Sequence, residues 1–337
     1  MVDKLPACGE GADIHWQDSS GGSEKASEST AGGGVVYAVF FGKVGCFSTR
    51  TATSLLLKAE ETMQARLKAG GSHLQVVVCA SDARDTSRQR SETFRCYLEG
   101  LHSHWRAVPL AQSEELQRSM VKQLGGGASA AGLTSTPQLL FLDSNGRVLV
   151  DDGIRHLSLD RAAVGFPWAP AGGGAASARD GSVRHLVTSL TLARAPQAGP
   201  LTGLLLLPAY DSPHAVPVAE QCALLDRYRE VAASVVQEYH TPPGQTCFLY
   251  SSEKEMWQNG LAHLVKAGIA PPDLLKEVQK CTDRNGGGGA ALVMLWSERL
   301  PGGGTGACYA AVPVDSPDSS FLDAKFMVHP GLGFQRR

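Results

Sequence analysis

The sequence feature that most constrains the fold is residues 35–50, where an apolar run gives way to a helical pattern at a cysteine. Residues 35–41 are uninterrupted β-branched, aromatic and small apolar side chains, typical of a strand buried on both faces. Gly42 and Gly45 interrupt the run, and apolar residues then recur at helical spacing as far as Gly70. The pattern predicts a buried strand, a short loop and a helix with Cys46 at its N-terminus.

This position has a chemical meaning for Cys46. Unpaired backbone N–H groups and the helix dipole stabilise an anion at a helix N-terminus, and a thiolate is such an anion. We therefore expect the pKa of Cys46 to lie below the ~8.5 of a free cysteine. The alternative, which the local sequence leaves open, is a cysteine that packs as a small hydrophobic residue.

Strand and helix patterns alternate through the rest of the chain. In the first half, strands are predicted at 74–79, 138–142 and 147–150, with helices near 87–99 and 114–124. The second half repeats this order, with strands at 204–207, 247–250, 290–296 and 307–312 and helices at 218–239, 254–265 and 272–278. Alternation at this spacing predicts βαβ units around a partly parallel sheet, so the fold class is α/β.

Composition excludes several functions. The chain has 337 residues, of which 43% are hydrophobic, enough for two domains with their own cores. Its 31 basic and 33 acidic residues are nearly balanced, so no nucleic-acid partner is expected. The sequence contains no apolar run long enough to predict a membrane segment, and no export signal is evident. Both observations favour a reducing cytoplasmic or nuclear location. The eight cysteines are scattered without a CxxC pair, so neither a zinc motif nor a disulfide framework is predicted.

Four short motifs resemble the nucleoredoxin/tryparedoxin family of the thioredoxin-fold superfamily. In that family a strand leads into Trp-Cys-Pro-Pro-Cys-Arg, and residues 45–50 here read Gly-Cys-Phe-Ser-Thr-Arg. Residues 104–109, His-Trp-Arg-Ala-Val-Pro, resemble the family's Pro-Trp-Leu-Ala-Val-Pro. A Thr-Pro pair at 136–137 precedes a strand, where the family has a cis-proline, and Phe-Pro-Trp at 166–168 resembles the end of a nucleoredoxin module.

The resemblance implies two tandem thioredoxin-like domains, each with a central mixed β-sheet flanked by helices. We expect a flexible N-terminal segment over 1–33, a first domain over 34–168, a linker over 169–182, a second domain over 183–318 and a tail over 319–337. In the second domain, the loop after the first strand, residues 208–217, contains no cysteine, and no proline immediately precedes Ala291. It is therefore expected to be non-catalytic.

The expected site is a degenerate one. By resemblance Cys46 is the nucleophile, Thr49 replaces the second cysteine, and the groove is lined by Gly45, Phe47, Ser48, Arg50, Trp105, Thr136 and Pro137. A second thiol would resolve a mixed disulfide within the molecule, which Thr49 cannot do. Its hydroxyl could instead stabilise the Cys46 thiolate, although the same substitution also arises by drift.

Two further groups of residues are candidates for chemistry. Cys79, at the end of a neighbouring strand, is a candidate partner for Cys46 only if their Cα atoms lie within about 7 Å. His102 and His104 share the spacing of two metal ligands, but the sequence shows no third ligand, which favours an ordinary surface pair. We therefore predict no metal and no cofactor.

Two functions follow from the resemblance. One is a thiol–disulfide oxidoreductase with at most weak single-cysteine activity, whose partners are protein thiols, disulfides or glutathione. The other is a non-enzymatic binding protein, because nucleoredoxins also restrain signalling partners such as Dishevelled in Wnt signalling. The reactivity of Cys46 distinguishes the two functions.

Overall fold

The computed structural model divides the chain into two compact units, Met1–Ser158 and Leu159–Arg337. The first unit ends before the Phe166-Pro167-Trp168 sequence, whose Phe166–Pro167 peptide bond is cis. The residues described are 16–17, 23–24, 34–80, 88–123, 137–168, 182–192, 201–208, 216–238, 246–283, 289–299, 305–323 and 326–327.

The first unit is built on a mixed sheet with its most apolar strand at the centre. Its strands are β1 (Trp16–Gln17), β2 (Ser23–Glu24), β3 (Val35–Gly42), β4 (His73–Ala80), β5 (Arg106–Ala107), β6 (Gln138–Leu142) and β7 (Val148–Val150). They are ordered β2-β1-β5-β4-β3-β6-β7. β3, β4 and β5 run parallel, while β6 is antiparallel to β3 and to β7. The short strands β1 and β2 come from the segment predicted to be flexible and extend the sheet beyond β5.

The described residues here form four helices: α1 (Phe47–Ala69), α2 (Arg88–Glu99) and α3 (Leu110–Gln123) connect the strands, and α4 (Gly153–Leu159) follows β7. The predicted strand–loop–helix at residues 35–50 is confirmed. β3 is buried along almost its whole length, as expected for a central strand. α1 buries a stripe of side chains that includes Leu56, Ala59 and Met63, and Gly70 is the C-cap residue of the helix. Gly71, which follows, takes the left-handed conformation that glycine adopts readily (φ +73°).

The second unit repeats the same arrangement around β9. Its strands are β8 (Val183–His185), β9 (Leu201–Leu206), β10 (Thr246–Ser251), β11 (Ala290–Arg299) and β12 (Thr305–Val314), ordered β12-β11-β9-β10-β8. β8, β9 and β10 run parallel, and β11 is antiparallel to β9 and β12. The helices are α5 (Val218–Glu238), α6 (Lys254–Lys266) and α7 (Leu274–Thr282).

Both units therefore have a central strand with a parallel neighbour on one side and an antiparallel hairpin on the other. This is the mixed sheet flanked by helices that the thioredoxin-like fold implies, so the predicted fold class is confirmed. The units differ in where the outermost parallel strand comes from in the chain. In the first unit this strand is β5, which follows β4 in the sequence, whereas in the second unit it is β8, which precedes the central strand β9. The strand β8 was not predicted, since three residues are too few to show a periodic pattern.

Candidate functional site

The candidate site lies where β3 leads into α1. Gly45 has φ +85°, the left-handed region that glycine adopts without a Cβ clash, and the chain turns there into the helix. Cys46 is the N-cap residue, with extended backbone angles and no side chain capping the helix. Its own N–H donates to the Lys43 carbonyl (3.1 Å), and its carbonyl accepts the Arg50 N–H (3.2 Å). The first turn of α1 thus directs N–H groups toward the Cys46 side chain.

Ser48 is the side-chain partner of the Cys46 sulfur. The Ser48 Oγ lies 3.0 Å from the Cys46 Sγ, and the thiol is partly exposed. This hydrogen bond is the largest cause that lowers the pKa of Cys46 below its ordinary value, followed by the backbone N–H groups of Ser48 and Thr49 and the charge of Lys43. The site thus favours a thiolate more than a free cysteine would.

Contrary to the expectation from the sequence, the Thr49 hydroxyl does not contact the Cys46 sulfur but binds the backbone of the loop. Its hydroxyl accepts the backbone N–H of Lys43 (3.1 Å) instead of pointing at the sulfur, and its side chain is buried. Its methyl group lies 2.7 Å from the position that a Cβ on Gly42 would occupy. Thr49 therefore fixes the loop to the end of β3, and it acts on the sulfur through its backbone N–H.

The other residues expected at the groove are divided between the surface and the interior. Phe47 is 83% exposed, and the Arg50 Nη2 lies 3.5 Å from the Gly45 carbonyl oxygen. Pro137 is half-buried and immediately precedes Gln138, which pairs with Phe41 at the end of β3 that leads to Cys46. Thr136, and with it the peptide bond expected to be cis, lies outside the described residues.

Trp105 is buried and does not line an exposed groove. Its Nε1–H donates to both carboxylate oxygens of Glu60, at 2.9 Å each. His102 Nδ1 and His104 Nε2 each lie 2.7 Å from one oxygen of the same carboxylate. The structure thus supplies the third group that the sequence did not show beside the two histidines. The sequence feature that could have indicated this third group is Glu60 itself, an acidic residue inside the apolar stripe of α1.

Two other cysteines of the described residues, Cys79 and Cys247, are buried. Cys79 lies in β4, fully buried in a core cluster with Phe41, Leu116 and Met120, and forms no disulfide. In the second unit, Cys247 is buried, which raises its pKa, and accepts a hydrogen bond from Arg184 (3.3 Å). Burial and a raised pKa keep a thiol protonated and unreactive.

Similar solved structures are tryparedoxins. Native tryparedoxin I from Crithidia fasciculata is 23% identical over 48% of this chain and 96% of its own, with a TM-score of 0.35. Tryparedoxin II from the same organism is 17% identical over 50% and 97%, with a TM-score of 0.37. A tryparedoxin II complexed with glutathionylspermidine is 19% identical over 47% and 94%, with a TM-score of 0.34. At this level of similarity, the activity of the tryparedoxins does not carry over to this chain.

Comparison with protein-family models and with curated proteins finds no match. Among the helices of the described residues, none combines the length and apolar character needed to cross a membrane.

Proposed function

We propose that the chain is a nucleoredoxin-like protein that forms mixed disulfides through the single thiol of Cys46. The observation that carries this proposal is the Cys46 sulfur at the N-terminus of α1, partly exposed and hydrogen-bonded by Ser48. The motifs at residues 45–50, 104–109 and 166–168 support the family assignment. The second unit is proposed to be non-catalytic.

The proposed step is thiol–disulfide exchange. The Cys46 thiolate attacks one sulfur of a disulfide R–S–S–R′, which forms Cys46–S–S–R and releases R′–S⁻, and this thiolate then takes up a proton. A second thiol R″–SH, such as glutathione, attacks the sulfur of R as its thiolate. R–S–S–R″ leaves and the Cys46 thiolate is restored. Because the resolving thiol comes from solution, release is expected to be slower than in a dithiol site.

Glutathionylation tests this step directly. The full chain is incubated with oxidised glutathione at neutral pH, and the modified residue is found by peptide mass spectrometry. We expect Cys46 to be modified first, and Cys46→Ser to abolish the fast modification. Cys96 is a matched control because it is exposed in the middle of α2. If Cys96→Ser lowers the fast modification as much as Cys46→Ser, reactivity follows exposure and the proposal is wrong.

A second candidate function is partner binding without chemistry. Phe47 is one of two large hydrophobic side chains that are exposed among the described residues, and it follows Cys46 directly. An exposed aromatic residue at this position supports an apolar contact with a partner, for which protein clients or a signalling protein are the candidates. A pull-down separates the two functions. Partners retained by Cys46→Ser and lost from Phe47→Ser indicate binding, whereas partners lost from Cys46→Ser indicate mixed disulfides.

A further inference from the structure

The Glu60 carboxylate is the centre of a cluster that the proposed thiol chemistry does not use. Glu60 lies on the buried face of α1 between Leu56 and Met63, and its side chain is 10% exposed. A buried carboxylate is costly unless it is paired and hydrogen-bonded. His102, His104 and Trp105 supply these partners from the segment before β5.

The two imidazoles and the carboxylate bring three potential metal ligands together, now joined by hydrogen bonds. One ring nitrogen of each faces a different oxygen of Glu60, and the three ligand atoms lie within 4.8 Å of one another. The ring centroids are 5.3 Å apart. The His102 and His104 side chains are 49% and 62% exposed, so solvent reaches both imidazoles.

We propose that Glu60, His102 and His104 bind one divalent transition-metal ion, with zinc as the natural probe. Two imidazoles and one carboxylate form a known donor set for zinc, in which a water molecule takes the fourth position. Imidazole nitrogen disfavours Mg²⁺ and Ca²⁺, which prefer oxygen ligands. His102 would bind through Nδ1 and His104 through Nε2, the atoms that face the carboxylate.

Trp105 is the positioning residue of this site. Its indole N–H spans both carboxylate oxygens at 2.9 Å and holds the plane of the carboxylate in place. Hydrogen bonds from the surroundings of a metal site orient its ligands, and their loss typically weakens metal affinity about 10- to 100-fold. A bound ion would also tie α1 to the segment before β5.

Zinc titration of the full chain tests the proposal. Exposed thiols are first alkylated so that they cannot bind zinc, and the protein is then stripped with a chelator and titrated by calorimetry. We expect one zinc ion per chain, lost in both His102→Gln and His104→Gln. His263→Gln is the matched control, because His263 is exposed on α6, far along the chain from this cluster. It is expected to retain the ion.

Two further measurements separate a metal site from a hydrogen-bonded cluster. Trp105→Phe, which keeps an aromatic ring but removes the N–H, is expected to weaken zinc binding about 10- to 100-fold. Cobalt bound in place of zinc is expected to show the visible d–d bands of an ion with nitrogen and oxygen ligands, and both His102→Gln and His104→Gln are expected to lose them. Absence of zinc binding overturns the proposal, and so does binding that both histidine variants retain. Because thiols are blocked throughout, these results are independent of whether Cys46 is reactive.

Discussion

A buried imidazole is expected to make the second unit sensitive to acid. His185 is the last residue of β8, and its ring stacks on Tyr250 with centroids 4.7 Å apart and planes 14° apart. Burial lowers the pKa of His185 from 6.5 to about 3. The ring is therefore neutral in the folded protein over a pH range in which the unfolded chain is protonated.

The sign and size of the effect follow from linkage. Between pH 6.5 and about 3 the unfolded state binds one more proton at this residue, so the free energy of unfolding falls as the pH falls. The slope is about 1.4 kcal/mol per pH unit once the pH is well below 6.5, and the loss at pH 4.5 is roughly 2.7 kcal/mol. Asp160 acts in the opposite sense, because burial raises its pKa. The folded state holds the Asp160 proton more tightly than the unfolded chain does, and the stabilisation that this provides is lost as the pH rises through the raised pKa of Asp160.

Comparison with variants isolates the histidine from Asp160. Urea unfolding of the wild type, His185→Phe and His185→Gln is measured at pH 7 and pH 4.5, with hydrogen exchange of peptides from β8 to β10 reporting on the second unit. We expect the wild type to lose about 2.7 kcal/mol more than either variant between these values, whatever the baseline stability of each variant. Equal pH dependence in all three proteins would refute the reasoning.

Two other substitutions test the local geometry. The Asp160 carboxylate accepts the Val164 and Gly165 N–H groups (2.9 and 2.8 Å), and an amide has only one acceptor oxygen. Asp160→Asn is therefore expected to lower the free energy of unfolding by about 1–3 kcal/mol. Urea unfolding measures this loss, and an unchanged midpoint would contradict the account. Gly42→Ala would place a Cβ 2.7 Å from the Thr49 methyl and so displace Thr49 from the loop. We expect this substitution to lower the free energy of unfolding by about 1–3 kcal/mol and to slow the alkylation of Cys46. An unchanged alkylation rate would show that Thr49 does not hold the loop.

Much of the fold could be predicted from the sequence because its strongest patterns belong to the most buried elements. The apolar run of β3 and the stripe of α1 are both long enough to show a period, and each forms as expected. The short strands β5 and β8 show no such pattern. They form because a neighbouring strand, β4 or β10, offers them backbone hydrogen bonds.

The details of the site were harder to predict because they depend on side-chain direction. Position i+3 from Cys46 placed Thr49 on the correct turn, but its hydroxyl faces Lys43 while the neighbouring Ser48 reaches the sulfur. Similarly, no sequence pattern relates Glu60 to the two histidines, which lie more than 40 residues later in the chain. Only the packing of α1 beside the segment before β5 brings them together.

The central claim, that Cys46 is held as a reactive thiolate at the start of α1, is tested most directly by its pKa. The rate of alkylation by iodoacetamide is followed by peptide mass spectrometry across pH 5 to 10 in the wild type, Ser48→Ala and Thr49→Val. We predict a Cys46 pKa below that of a free cysteine in the wild type, raised toward the ordinary value in Ser48→Ala and changed less in Thr49→Val. A wild-type pKa at or above the ordinary value, unaffected by Ser48→Ala, would contradict it.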